Sequence, residues 1–171
     1  CLSCPSGKIS LMGSDSCQFC LEGKWSKLQI KCLDCPQGRY SFSMGLQSPE
    51  ECSLCPIGKY NDQFGITNSD QCKYCANGHI GIIKGAMSNL SCLPCEQGKF
   101  RDNLEHCLVC ADGHVAKEGQ NKCKICPKGK VSDIHKIDCI KCPIGKFGDS
   151  EGLHTESICI NCEKGRYSNI S

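Results

Sequence analysis

Large apolar side chains occur singly along this chain and at one recurring address. Ile9, Trp25, Tyr40, Tyr60, Ile80, Phe100, Val115, Val131, Phe147 and Tyr167 each follow a Lys, Arg or His, which itself follows a glycine. Between these points no segment sustains the apolar spacing of about 3.6 residues that an amphipathic helix needs. Each bulky residue is therefore expected to open a short extended segment and to pack over a nearby disulfide, and helices are not expected. The preceding segment, often Cys-Pro-x-Gly, reads as a turn in which proline fixes φ and glycine accepts a positive φ. Proline stands at Pro5, Pro36, Pro56, Pro127 and Pro143 and is replaced in the other five copies, so glycine is the stricter requirement.

The cysteines frame this pattern. All 20 fall in ten C-x-x-C pairs, beginning at Cys1, Cys17, Cys32, Cys52, Cys72, Cys92, Cys107, Cys123, Cys139 and Cys159. The steps between pairs are 16, 15, 20, 20, 20, 15, 16, 16 and 20 residues. Glycine lies three residues after the second cysteine of every pair: Gly7, Gly23, Gly38, Gly58, Gly78, Gly98, Gly113, Gly129, Gly145 and Gly165. Such self-similarity is the signature of a repeat array. Residues 1–171 read as one continuous array of about ten modules. It opens at Cys1 and stops shortly after a cysteine pair, as expected of a piece of a longer protein. The long modules share a second glycine (Gly45, Gly65, Gly85, Gly152), which reads as the turn of a hairpin. Between the cysteines of a pair, Leu33, Leu54, Tyr74, Ile125 and Ile160 are candidates to seal the joint between modules.

Composition explains the cysteine load. With five Phe, four Tyr and one Trp in 171 residues, no stretch supplies a continuous core, and covalent links must replace it. The expected fold class is small disulfide-rich repeats: an extended, solenoid-like array of short β-hairpin modules without a central core. Disulfides imply an oxidising compartment, hence an extracellular location. No apolar run approaches the ~18–20 residues that cross a membrane. A net charge of +2, with lysines along the whole chain, makes no case for nucleic acid or an anionic membrane.

Paired C-x-x-C motifs also match four-cysteine zinc sites. Ten in series with a shared glycine and bulky residue, beside two N-glycosylation sequons (Asn89-Leu90-Ser91 and Asn169-Ile170-Ser171), favour disulfides and no cofactor. A redox C-x-x-C would sit on a βαβ scaffold, and none is visible. His79, His106, His114, His135 and His154 fall at unrelated positions and form no catalytic constellation, so the chain is not read as an enzyme. The basic residue of each module (Lys8, Lys24, Arg39, Lys59, Lys99, Lys130, Lys146, Arg166) reads as a long side chain laid across its module with the charge in water. The functional alternative is a docking strip for acidic glycans or carboxylates.

Two connectivities are open. One joins the second cysteine of each pair to the first of the next: Cys4–Cys17, Cys20–Cys32, Cys35–Cys52, Cys55–Cys72, Cys75–Cys92, Cys95–Cys107, Cys110–Cys123, Cys126–Cys139 and Cys142–Cys159. Cys1 and Cys162 would then pair outside the segment. The other crosses the pairs in blocks, Cys1–Cys17 with Cys4–Cys20 and onward; the spacings show no alternation of the kind blocks suggest.

The unit C-x-x-C-P-x-G-[KR]-[YF]-[SN], as in residues 32–41 (CLDCPQGRYS) and 52–61 (CSLCPIGKYN), resembles the ephrin-receptor-like cysteine-rich repeat. It is similar also to the first half-module of tumour necrosis factor receptor cysteine-rich domains. The resemblance runs through all ten units; Leu21, Ala76, Glu96, Ala111 and Glu163 depart from it in place of proline. It implies the first connectivity, an extracellular location and a stalk or spacer role. Similar arrays occur in surface coat proteins of protists and in flagellar-hair proteins. The expected function is a glycosylated structural repeat that associates with itself or related chains in a shaft or filament. The alternative is a receptor or adhesin ectodomain that binds a protein or glycan.

Overall fold

The computed structural model describes residues 2–27 and 30–168. Cys1 and Asn169 lie outside the described residues. The chain divides into two compact units, Cys1–Cys75 with Gly81–Cys92, and Ala76–Ile80 with Leu93–Ser171. Each is a series of two-stranded antiparallel hairpins joined by disulfides.

The hairpin begins with its turn. The amide of Lys8 donates to the carbonyl of Pro5 (3.2 Å), and Gly7 between them has φ +79°. A positive φ at the third turn position marks a type II turn, which glycine adopts without steric cost. The same bond recurs where proline is missing, from Lys24 to Leu21 (3.1 Å) and from His79 to Ala76 (3.0 Å). Proline supplies only the first carbonyl of the turn, so any residue can stand there.

In the first unit β1 (Lys8–Ile9) pairs with β2 (Gln18–Phe19), β3 (Lys24–Trp25) with β4 (Leu33–Asp34), β5 (Arg39–Tyr40) with β6 (Ser53–Leu54), and β7 (Lys59–Tyr60) with β8 (Lys73–Tyr74). The hairpin of β9 (His79–Gly81) and β10 (Cys92–Pro94) contributes part of each strand to each unit. In the second unit β11 (Lys99–Arg101) pairs with β12 (Cys107–Val109), β13 (His114–Val115) with β14 (Lys124–Ile125), β15 (Lys130–Ser132) with β16 (Cys139–Lys141), and β17 (Lys146–Phe147) with β18 (Ile160–Asn161). Strands of two or three residues hold few ladder bonds, so a hairpin this short is marginal alone.

Disulfides close the gap. Nine are present among the described residues: Cys4–Cys17, Cys20–Cys32, Cys35–Cys52, Cys55–Cys72, Cys75–Cys92, Cys95–Cys107, Cys110–Cys123, Cys126–Cys139 and Cys142–Cys159. Cys162 has no disulfide partner among the described residues and is half-buried. Each bond closes a ring of 12 to 17 residues, a constraint on the unfolded chain of about 3 kcal/mol in the loop-entropy model. Most buried apolar residues are these cysteines themselves. Ile66, Ala86, Val115, Ala116, Val131 and Leu153 are the buried others among the described residues. They are scattered over successive modules and form no central core.

In two modules the bulky residue packs on a disulfide, and that disulfide belongs to the next module. Tyr40 lies against Cys55, Cys72 and Ile66, whereas its own ring is closed by Cys35–Cys52. Val131 packs with Cys142, Cys159 and Leu153. Parallel bridges from Trp25 to Leu46, Tyr60 to Ala86 and Val131 to Leu153 register each strand on the following module.

The long loops depart from the expected glycine-turn hairpin. Their second glycine docks on the preceding module instead: the amides of Gly45, Gly65, Gly85 and Gly152 donate to the carbonyls of Cys20, Cys35, Cys55 and Cys126 at 2.8 to 2.9 Å. The polar stretch that follows forms a single 3₁₀ turn in each case, at Pro49–Glu51, Ser69–Gln71, Asn89–Ser91 and Glu156–Ile158. Only the turn at Ser69–Gln71 carries a side-chain N-cap; the other three have none. The Asn68 side chain accepts from the amides of Asp70 (3.0 Å) and Gln71 (3.2 Å), and Gln71 Oε1 accepts from the amide of Asn68 (3.3 Å).

Candidate interaction surfaces

Two sets of residues carry chemistry here: those that join modules, and the basic row with the residues opposite it. The joint is mostly backbone. The amide of the turn glycine donates to the carbonyl six residues after the next module's ring-opening cysteine: Gly7 to Ser26, Gly23 to Ser41 and Gly38 to Asn61, all at 2.8 Å. That acceptor residue donates onward, Ser26 to Leu46 (2.9 Å), Asn61 to Ala86 (2.9 Å) and Ser132 to Leu153 (2.9 Å). Backbones this close leave little room for a side chain. Ser26, Ser41, Asn61, Ala116 and Ser132 are all buried at this position. The serine or asparagine after the bulky residue is visible in the repeat, but a small polar residue carries no local signal of burial.

Residues between paired cysteines seal the joint while staying largely in water. A methyl on Gly45 would meet the Phe19 ring, one on Gly85 the Leu54 side chain, and one on Gly152 would touch Ile125. At Gly65 the neighbour is Asp34, so the position accepts a polar side chain as well.

Lys136 is a second residue that the repeat pattern did not single out. It stands where other modules have Ile66 or Leu153, directly after the carbonyl that faces Gly98, and has φ +59°. No docking glycine reaches Cys110 from this short module. Lys136 Nζ supplies the missing donor, 2.7 Å from the Cys110 carbonyl, and pairs with Asp112 at 2.9 Å. That hydrogen bond, followed by the Lys136 charge, holds the Asp112 carboxyl below its ordinary range.

The basic row is engaged mainly within its own hairpin. Lys8 Nζ lies 4.1 Å from the centre of the Phe19 ring, directly across the ladder, and Lys59 lies 4.2 Å from that of Tyr74. Lys24 faces Asp34 at 2.5 Å. Arg39 donates to the carbonyls of Glu50 (3.1 Å) and Cys52 (2.7 Å). Lys99 pairs with Glu96 at 2.7 Å and depresses its carboxyl. At His79 and His114 the ring Nδ1 lies 3.0 Å from the carbonyls of Asn77 and Asp112, so a proton on Nδ1 is shared with the turn. On the opposite strand Lys73 bridges to Asp62 at 2.8 Å, a hydrogen bond that lowers the Asp62 pKa and raises that of Lys73.

Module eight breaks this rule. Lys130 lies across the ladder from Lys141, and like charges directly opposite are unfavourable. Lys117, Gln120, Lys124, Lys130 and Asp138 line a cavity of about 330 Å³ beside this hairpin. Lys117 reaches Asp138 at 3.3 Å; Lys124 and Lys130 have no carboxylate partner among the described residues.

Asn89 is exposed at the first position of its 3₁₀ turn. Eighteen cysteine sulfurs are bonded in pairs, and no group of three His, Cys, Asp or Glu able to hold a metal occurs among the described residues. Nor is any described helix long and apolar enough to cross a membrane. No protein-family model matches the chain, and no curated protein is significantly similar to it.

Proposed function

We propose that this chain is a structural repeat protein, working as a shaft, spacer or filament segment outside the cell. The observation that carries the reading is the joint. Hydrogen bonds of one pattern link a turn glycine to the next module and a docking glycine to the previous one, largely independent of side-chain identity. A joint made this way can be repeated without altering it, so length is added module by module while every other surface varies. Nine disulfides call for an oxidising compartment, and the resemblance to ephrin-receptor-like repeats supports a place at the cell surface or on an appendage. Exposed Asn89 is a suitable N-glycan acceptor.

Electron microscopy of the native, purified protein tests this reading. Fibres or regular lateral assemblies support it. Dispersed single particles that capture a soluble protein ligand would point instead to a receptor ectodomain.

A further inference from the structure

The small net charge of the chain conceals a strong local separation. Residues 117–146 hold eight lysines against Glu118, Asp133 and Asp138. The next stretch, 147–163, holds Asp149, Glu151, Glu156 and Glu163 and no lysine or arginine. Both belong to the second unit. Within the lysine stretch Lys117 and Lys136 are neutralised by Asp138 and Asp112. Lys122, Lys124, Lys128 and Lys130 have no carboxylate partner among the described residues. Asp149, Glu151 and Glu156 are exposed and have no ion pair there either. Neighbouring patches of opposite sign on one chain, neither neutralised by the other, form complementary halves of a contact between chains.

We propose that copies of this protein associate by setting the lysine face of modules seven and eight of one copy against the carboxylate loop of module nine of another. The inference rests on the fibre reading and names the contact that would build it. The cavity flanked by Lys124 and Lys130, which have no carboxylate partner among the described residues, receives an incoming carboxylate. The two patches differ, so the contact is heterologous: each copy that has used one patch still offers the other. Such contacts propagate when the rotation does not close a ring. An acidic glycan would need the lysines alone. The presence of a matching acidic face on the same chain selects a second copy as the occupant.

Two charge-reversed forms of the full chain, with native disulfides confirmed by thiol counting and circular dichroism, test the contact. One carries Lys124→Glu and Lys128→Glu, the other Glu151→Lys and Glu156→Lys; all four positions are exposed, so folding is not at stake. Sedimentation velocity should show the wild type associating at low salt and dissociating near 1 M, where screening acts beyond about 3 Å. Each variant alone should associate at least about tenfold more weakly, a loss of about 1.4 kcal/mol. An equimolar mixture should recover association, because each variant retains the patch that the other lacks. Variants that associate like the wild type, or a mixture that stays dispersed, overturn the proposal, as does a monomeric wild type whose lysines serve only to bind heparin. Native fibres that survive both reversals would leave the fibre reading standing and remove this contact from it.

Discussion

Gly38 and Gly85 meet backbone to backbone from modules two apart: a methyl on Gly38 would occupy the space of the Gly85 carbonyl. The same relationship recurs between Gly7 and Gly45, Gly23 and Gly65, and Gly113 and Gly152. The turn glycine thus answers two demands, a left-handed φ and an absent side chain, and the two can be separated. Gly38→Ala should lose about 3 kcal/mol or more, combining a backbone cost of about 1–2 kcal/mol with a clash in a rigid joint. Gly13 also has a positive φ, but nothing lies within 4 Å of its added methyl. Gly13→Ala should lose only the backbone part, about 1 kcal/mol. Urea unfolding of the disulfide-intact proteins measures both.

The buried residue of the joint gives a second contrast. Ser26 is 1% exposed and its hydroxyl has no hydrogen-bond partner. Removing an unsatisfied hydroxyl is close to neutral, so Ser26→Ala should leave stability unchanged or raise it slightly. Ser26→Val should cost about 1–3 kcal/mol by overpacking. Asn61, at the equivalent position, donates to the Gln63 carbonyl (2.7 Å) and accepts from its amide (2.9 Å). Asn61→Ala should therefore cost about 1–3 kcal/mol, read from the same urea curves.

Acid should act through the exposed ion pairs. Asp112 and Asp62 have lowered pKa values because Lys136 and Lys73 hydrogen-bond their charged forms. The stability they confer is complete above the ordinary carboxylate value, about 3.9, and disappears as pH falls through the depressed one. Lys73, with its pKa raised by Asp62, acts in the opposite sense, and its contribution disappears only as alkaline pH passes the raised value. Replacing Asp62 and Asp112 together by Asn should flatten the dependence of Tm on pH below about pH 4. An unchanged acid limb would mean that the pairs do not act on stability.

The short-range pattern in the chain was enough to read the hairpins, because turn glycine, bulky residue and paired cysteines all lie within one module. Gly38 signals a turn by its position alone. Its contact with Gly85 depends on how modules stack, which no local period encodes. For the same reason the local pattern places Tyr40 over a nearby disulfide without saying that it is the following module's, and it reads the glycines of the long loops as hairpin turns, whereas they dock backwards. Ile66 and Leu153 directly follow those glycines, so a signal for the buried position was present. The 3₁₀ turns of the long loops are single turns of mostly polar residues, with or without a side-chain cap, and leave no mark on hydrophobic spacing. The basic row proved mostly internal, its exception lying where Lys130 faces Lys141.

Single disulfides should differ in worth by what packs on them. Loop entropy alone separates rings of 13 and 17 residues by a few tenths of a kcal/mol. Cys55–Cys72 also supports Tyr40 and Ile66. Changing both its cysteines to Ala should therefore cost more than the same change at Cys4–Cys17, by about 1 kcal/mol or more. Differential scanning calorimetry of the two variants makes the comparison.

Amide hydrogen exchange on the native protein and on a fully reduced, alkylated sample is the most direct measurement. With sulfur bonds in place of a core, protection should persist at the Gly45, Gly65 and Gly85 amides in the native form and vanish at all three once the bonds are gone. Protection that survives reduction would show that the hairpins and their joints stand without the disulfides, contradicting the account.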